Sequence, residues 1–250
     1  MKKMMTIVKT EFLLFIRDFF GFFFTFVFPV LMLVLYGSIY GNEPIYPGAE
    51  VRIMDVSVPA YSIMIMGVTG LMAFPLTLAE YKEKKIYKRF DATPVGKKSI
   101  ILAQVIVNVL MTLIGFGLLL TAGKILYQIQ LEGTAFSVFI ALVFSMSTMF
   151  SMGFLFTAVG KDTRMTNLLC YLFYFVMIFL SGATMPDSLF PDTVKKVSAV
   201  LPMTYAVDLM QGVFAGDGLV KHLKELLILG GLTTVFITLG AILYGKKDWT

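Results

Sequence analysis

The stretch "SIILAQVIVNVLMTLIGFGLLLTAG", residues 99–123, runs for 25 residues without an Asp, Glu, Lys, Arg or His. A helix needs about 20 apolar residues to cross the hydrocarbon layer of a membrane. Five more uncharged stretches lie at 19–40, 56–79, 134–160, 165–185 and 226–244. The segments between them are too short to fold as soluble domains with their own cores. The sequence therefore predicts an all-α integral membrane protein with six transmembrane helices in a single domain, residues 1–250.

The overall composition agrees with that prediction. The chain is 58% hydrophobic and only 15% charged, whereas soluble domains have roughly 25% charged residues. Lys2 and Lys3 resemble the basic start of a signal peptide, but the apolar run begins only after Arg17 and is longer than a signal peptide's apolar region. We therefore expect the first span to be retained.

The distribution of Lys and Arg predicts the orientation in the membrane, because these residues concentrate in cytosolic segments. Fifteen lie in the N-terminal segment, after span two, after span four and in the C-terminal tail, and six lie in the other connections. Both termini and the segment after span two are therefore predicted to be cytosolic. The expected location is the cytoplasmic membrane, with lipid as a neighbour.

Residues 1–18 show the pattern of an amphipathic helix. Met4, Val8, Phe12 and Phe15 recur at helical spacing, and basic residues fall on the other side. This pattern is typical of an elbow helix in the membrane interface with its apolar face in lipid. A frayed basic tail is the alternative, because Leu13 and Leu14 blur the apolar stripe.

The segment between spans five and six is too long for a structureless connection. Met203, Ala206, Met210 and other apolar residues follow a helical pattern, Pro202 stands where a helix can begin and Gly216 where it would end. A shorter helix is expected at about 192–200. We predict two short outer helices within 186–216, re-entrant and covered by neighbouring helices because membrane-embedded backbone must be hydrogen-bonded.

Several kinds of chemistry are disfavoured by the sequence. The uncharged spans lack the buried titratable groups of proton- or ion-coupled transporters. One histidine cannot supply an HExxH zinc pair. The sequence "GKKS" at 96–99 resembles part of a phosphate-binding loop, but Asp91 stands where the loop's first glycine is required, and Lys98 stands where Ser or Thr is required. We therefore expect no catalytic residue, no metal, no bound cofactor and no nucleic-acid partner.

Polar residues inside two spans admit two interpretations. Gln104, Asn108 and Thr112 share one face of span three, and Ser145 and Thr148 lie in span four. They could form interhelical hydrogen bonds worth about 0.6 kcal/mol each. Alternatively, they could give a weakly polar lining to a substrate path for amphipathic molecules.

The densest charge cluster follows span two. "EYKEKKIYKRF", residues 80–90, is helical in character, and Pro94 disfavours helix at Thr93. Ile86 and Phe90 lie four residues apart, which places a small apolar face on a basic helix. The segment could be basic only to fix topology, or it could fit a groove on another protein.

Together these features resemble the membrane subunit of type-2 ATP-binding-cassette (ABC) exporters, the drug and polysaccharide export permeases. The resemblance rests on the N-terminal helix, "EKKIYKRFDATPVGKK" after span two, the outer segment with "LPMTYAVDLMQGVF", and six spans. Glu83 matches the family's acidic position and Phe90 a leucine position. Thr93 and Pro94 match the final pair, whereas Lys85 and Ile86 stand where glycine and threonine are common.

The resemblance implies a coupling helix at 80–94 that docks on a separate ABC ATPase subunit, which would use ATP and Mg. The residues expected at this contact are Glu80, Glu83, Ile86, Tyr87, Phe90, Thr93 and Pro94. "GKDTR", residues 160–164, would add a smaller contact. The resemblance also implies that a second copy or a similar permease completes the path, with an outer gate near Pro202, Tyr205 and Asp208.

The expected function is export of hydrophobic or amphipathic, drug-like or antibiotic-like molecules by alternating access. Export of lipid-linked polysaccharide is an alternative within the same family. A self-sufficient secondary transporter or channel is an alternative from another class. An intramembrane enzyme would need a paired acid and base inside the bilayer, which the spans lack.

Overall fold

The computed structural model describes residues 2–41, 43–44, 51–91, 96–184 and 190–246. Within these residues the fold is helical, with one isolated β-bridge between Pro44 and Arg52. The helices are α1 (Lys2–Arg17), α2 (Phe19–Tyr40), α3 (Ile53–Glu83), α4 (Ile86–Asp91), α5 (Gly96–Tyr127), α6 (Ala135–Val159), α7 (Thr163–Leu180), α8 (Asp192–Ser198), α9 (Pro202–Phe214) and α10 (Leu223–Lys246).

Six of these described helices, α2, α3, α5, α6, α7 and α10, are long and apolar enough to cross a membrane. The predicted all-α membrane fold with six spans is confirmed. Several span boundaries differ from the prediction by one to five residues; α5, for example, runs to Tyr127 and not to residue 123. The α3 helix continues past the uncharged stretch as far as Glu83. The fifth span ends at Leu180 and not at residue 185, because Gly182 has a φ of +82° and turns the chain out of the helix.

The α3 helix forms the centre of the bundle. Of its most apolar stretch, 89% is buried, compared with 22% for α2 and 11% for α10. One turn of α3, Val68–Ala73, is a π-helix. Val68 and Leu71 of this turn share a buried core cluster with Met149 of α6 and Met210 of α9, and unbranched methionine side chains fill irregular gaps between helices. The peripheral helices α2 and α10 present most of their apolar surface outward.

Two glycines allow α3 and α6 to approach each other closely. A Cβ atom on Gly153 would lie 2.1 Å from the carbonyl oxygen of Gly70. Small residues permit this kind of backbone contact between membrane helices. The α3–α6 pair therefore packs backbone against backbone.

The N-terminal helix α1 packs differently from its prediction. Phe15 is buried in a cluster with Val107 and Met111 of α5. The apolar stripe thus faces protein, and the expected lipid-facing stripe is wrong in this respect. Leu13 and Leu14, which blur the stripe in the sequence, are 45% and 46% exposed. Burial against α5 and burial in lipid satisfy an apolar face equally well, so the pattern alone does not separate them.

The connection between α7 and α10 contains α8 and α9, which meet at 95°. The two short helices predicted for this segment are present, and Gly216 has a φ of +87° just after α9. Residues 186–189 of the predicted segment lie outside the described residues. Most of α9 is buried, including Met203, Ala206 and Met210, so neighbouring helices cover it.

The connections gather at two ends of the bundle. At one end, α1, the α3–α5 connection, the start of α7 and the end of α10 meet: the Tyr81 hydroxyl contacts Glu11, and Lys82 lies over the Tyr244 ring. These are the segments with the excess of Lys and Arg, so we call it the basic end. We call the other the closed end, where Arg52 bonds to the Gln128 carbonyl and the Glu132 amide bonds to the Phe214 carbonyl.

Candidate functional site

The predicted coupling segment consists of two helices at an angle. The α3 helix ends at Glu83, Lys85 adopts a φ of +55°, and α4 begins at Ile86. A left-handed residue cannot continue an α-helix, so the continuous helix predicted over 80–94 is wrong at Lys84 and Lys85. Thr93 and Pro94, both expected at the ATPase contact, lie outside the described residues.

The α4 helix is fixed to the bundle by Tyr87. This side chain is 1% exposed and packs in a cluster with Phe74, Leu78 and Ile100. Its ring also contacts that of Tyr81, with centroids 6.0 Å apart. The apolar face of α4 therefore serves the protein's own core at Tyr87. The ATPase contact expected of Tyr87 stays a prediction.

The other residues of the predicted contact lie nearer the surface. Ile86 and Phe90 are half-buried, and Glu80 and Glu83 are exposed. Glu80 pairs with Lys84. The outward side of α4 carries Lys88 and Arg89, both exposed. The surface offered by α4 is thus more basic and less apolar than the sequence pattern suggests.

A hydrogen bond joins this segment to the connection between α6 and α7. The backbone N–H of Thr163 donates to Glu83 at 2.9 Å. Asp162 accepts from the backbone N–H of Met165 at 2.7 Å and caps the start of α7. We call the resulting surface the coupling surface: it consists of the exposed residues Glu83, Lys88, Arg89, Lys161 and Arg164. The structure thus places "GKDTR" beside α4.

The polar residues predicted to line a path do not lie together. The Asn108 side chain donates to the backbone carbonyl of Gln104 at 2.9 Å, and the Thr112 hydroxyl bonds to the Thr69 hydroxyl of α3 at 2.7 Å. Thr148 bonds instead to the Leu229 carbonyl and the Thr233 hydroxyl of α10. Ser145 is buried in α6. Thr112 and Thr148 therefore make interhelical hydrogen bonds, the first of the two interpretations. A substrate path lined by all five residues stays a prediction.

Gln104 and Asn108 line a cavity of about 600 Å³ at the basic end. Its walls come from α1, the start of α2, α3, α5 and α7. Gln104 is 1% exposed, and neither atom of its amide group makes a hydrogen bond with the described residues. Gln104 and Asn108 therefore give this cavity a polar lining, which is compatible with the predicted substrate path.

The cavity contains one residue that the sequence interpretation missed, Glu11 of α1. It is 8% exposed and accepts a hydrogen bond from Tyr81 at 3.0 Å. Burial raises the pKa of the Glu11 carboxyl, and the hydrogen bond from the Tyr81 hydroxyl acts in the opposite direction. A signal existed in the sequence, because Glu11 lies three residues after Val8 and four before Phe15, inside the apolar stripe.

The residues of the predicted outer gate hold the corner between α8 and α9. Pro202 occupies the first turn of α9, where its missing N–H costs nothing. The Tyr205 hydroxyl donates to the Ala199 carbonyl at 2.6 Å. Asp208 is half-buried on the following turn. A role for these residues in gating stays a prediction.

Comparison with protein families identifies the class. Residues 2–215 match the model of the ABC-2 type transporter family, so the chain belongs to this family. A search among curated proteins found none that matches the chain. The chain is therefore a membrane permease component of an ABC transporter and not its ATPase. The family implies an ABC ATPase partner and a dimeric arrangement.

Proposed function

We propose that the chain is the transmembrane subunit of an exporter that moves hydrophobic or amphipathic molecules across the cytoplasmic membrane. A separate ABC ATPase would bind at the coupling surface and use ATP and Mg. A second copy of this chain, or a similar permease, would complete the translocation path. Alternating access would follow from ATP-driven closure of the ATPase dimer.

The observation that carries this proposal is the coupling surface. Two connections that are 80 residues apart in the sequence are joined by the Glu83–Thr163 hydrogen bond, and Tyr87 fixes α4 against α3 and α5. A force applied to α4 would therefore reach α3, the most buried helix of the bundle. Basic segments are retained in the cytosol, which supports a position facing a cytosolic ATPase.

The candidates for the ATPase contact are the exposed Lys88 and Arg89 together with the residues named by the resemblance, Glu80, Glu83, Ile86, Phe90, Thr93 and Pro94. Tyr87 acts in this proposal as a positioning residue, because its buried ring fixes the direction of α4. At the closed end, the α8–α9 corner would cap the path. The cargo class is supported by the uncharged spans and by the apolar part of the cavity wall.

Arg89→Glu tests the proposal. Arg89 is exposed, so reversing its charge changes the coupling surface and leaves the Tyr87 cluster intact. The tagged chain is purified from the membranes of cells that naturally express it, and ATP hydrolysis in the eluate is measured. We expect the wild-type eluate to hydrolyse ATP and Arg89→Glu to lose at least 80% of that activity, roughly the effect of 1 kcal/mol at a contact.

Lys124→Glu is the matched control, because Lys124 is also exposed and lies towards the closed end. It should retain the activity of the wild-type eluate. Absence of ATP hydrolysis in the wild-type eluate, or equal loss in both variants, would contradict the proposal.

A further inference from the structure

Glu11 is a buried carboxylate in the wall of the cavity at the basic end. It is 8% exposed, and no basic side chain of the described residues forms an ion pair with it. Its hydrogen-bond partner is the Tyr81 hydroxyl. Removing a carboxylate from water is unfavourable unless a charge or hydrogen bonds replace the water. One hydroxyl replaces only part of the lost hydration, so Glu11 has the capacity to bind a cation.

Gln104 and Asn108 extend this polar part of the wall. Gln104 of α5 is 99% buried, and neither atom of its side-chain amide has a hydrogen-bond partner among the described residues. The side-chain oxygen of Asn108 has no partner among them either. More than nine-tenths of buried polar groups in proteins have a hydrogen-bond partner. Two neighbouring exceptions in one cavity wall provide both donors and acceptors for a polar ligand group.

The rest of the wall limits the kind of ligand. Glu80 and Lys84 pair with each other, and Asp18 caps the start of α2 through the Gly21 N–H. Glu80 and Asp18 thus already have partners within the protein and need no ligand cation to balance their charge. The volume of about 600 Å³ lies within the usual range of small-molecule sites. Much of the remaining wall is apolar, with Leu14, Phe15, Phe20, Met72 and Val107, and the exposed Arg17 also borders the cavity.

We propose that this cavity binds amphipathic molecules that carry a protonated amine, with Glu11 pairing with the ammonium group. The Gln104 and Asn108 amides would bond to its remaining polar atoms, and the apolar wall would cover its hydrophobic body. A drug-like amine and the aminoethyl headgroup of a lipid share this chemistry. The inference deepens the proposed function by naming its substrate class, and it rests on that function only for the direction of transport.

Binding of monodansylcadaverine, a primary amine on an apolar fluorophore, provides the test. The full chain is placed in nanodiscs of phosphatidylcholine, and the probe's fluorescence is titrated at neutral pH. We expect saturable binding, a Kd at least tenfold weaker for Glu11→Gln, and a similar loss for the N-acetylated probe. Equal binding by Glu11→Gln, or by the neutral probe, would overturn the proposal. Glu132→Gln, which removes an exposed carboxylate at the closed end, should bind like wild type.

Gln104→Leu keeps the proposal testable if Glu11→Gln folds poorly. Because the Gln104 amide has no partner to lose, an apolar replacement should leave the melting temperature unchanged or higher. The same variant should weaken probe binding several-fold. Unchanged binding by a well-folded Gln104→Leu protein would contradict a role for this wall.

The lipid composition of the nanodisc distinguishes the two sources of the amine. If phosphatidylethanolamine replaces part of the phosphatidylcholine and weakens probe binding in proportion, the occupant is a lipid headgroup. If binding is unaffected, the occupant is a free amphipathic amine. Neither arm requires the ATPase, so a failure of ATPase association and a failure of amine binding are separate outcomes.

Discussion

The two ends of the bundle are built in opposite ways. At the closed end, polar side chains bond to the backbone of other segments: Arg52 to the Gln128 carbonyl, Asp55 to the Gln130 amide and Gln211 to the Val56 carbonyl. At the basic end, α4 is held mainly by the buried ring of Tyr87, beside a cavity with unpartnered amides. Hydrogen bonds join the segments of the closed end, whereas the basic end has an exposed charged surface and a cavity.

Under the proposed function, this difference gives the two ends separate tasks. Bonds between segments resist separation of the helices at the closed end. Under the proposed function, the single aromatic anchor Tyr87 would let α4 transmit motion to α3 and α5 as one body. Variants at each end should therefore fail in different ways.

Tyr87→Ala should have the largest effect. Removing a fully buried aromatic ring costs about 3–5 kcal/mol of stability, and the loss is concentrated where α4 meets the bundle. We expect faster amide hydrogen exchange over residues 84–91 and loss of ATPase association. Tyr87→Phe keeps the ring and should retain most of the protection. Unchanged exchange in Tyr87→Ala would show that Tyr87 does not anchor α4.

Gly153→Ala should rank second. Its Cβ would lie 2.1 Å from the Gly70 carbonyl oxygen, so α3 and α6 would have to separate. Overpacking of this kind costs about 1–3 kcal/mol, and the melting temperature in detergent should fall. Gly117→Ala is the control, because an added Cβ at Gly117 meets no atom within 4 Å. Equal melting of both variants would contradict the backbone contact.

Asp55→Ala should have a smaller effect, restricted to the closed end. Asp55 accepts two hydrogen bonds from the Arg52 guanidinium, at 2.8 and 3.1 Å, and one from the backbone N–H of Gln130 at 2.9 Å. Loss of bonds to a half-buried charged group should cost about 1.5 kcal/mol. ATPase association should survive. Glu43→Ala removes an exposed carboxylate at the same end and should melt like wild type.

The pH dependence of stability should show the smallest effect, at Glu11. Burial raises the pKa of this carboxyl above its ordinary value of 4.5, so the folded protein holds the proton more tightly than the unfolded chain. Stability from this group is therefore greatest below pH 4.5 and declines as pH rises through the folded pKa. Melting curves of wild type against Glu11→Gln should diverge over this range, with the variant gaining relative stability. Parallel curves would contradict the burial of the charge.

The six membrane spans could be predicted from the sequence, because a span is recognised by the length of an apolar stretch and by its lack of charged residues. The first span, 19–40, agrees at both ends with α2, and Pro202 and Gly216 bracket α9 as their backbone preferences require. These features depend on local chemistry. A local pattern is visible in one sequence without knowledge of what packs against it.

The candidate site was less predictable, because it depends on which helices meet. The bend at Lys85 has no glycine to mark it, and the apolar face of α4 could serve equally for docking or for the protein's own core. Thr112 and Thr148 look alike in the sequence, yet they bond to different helices, α3 and α10. Glu11 becomes conspicuous only when α1 is placed against α3 and α5.

Photo-crosslinking from the coupling surface tests the central claim most directly. A photoreactive phenylalanine analogue replaces Arg89 in one variant and Lys124 in another, and membranes from cells that naturally express the chain are irradiated. The account predicts a covalent adduct from position 89, with a protein that carries a phosphate-binding loop, and none from position 124. An adduct of that protein at position 124, or its absence at position 89, would contradict the claim that the basic end receives the ATPase.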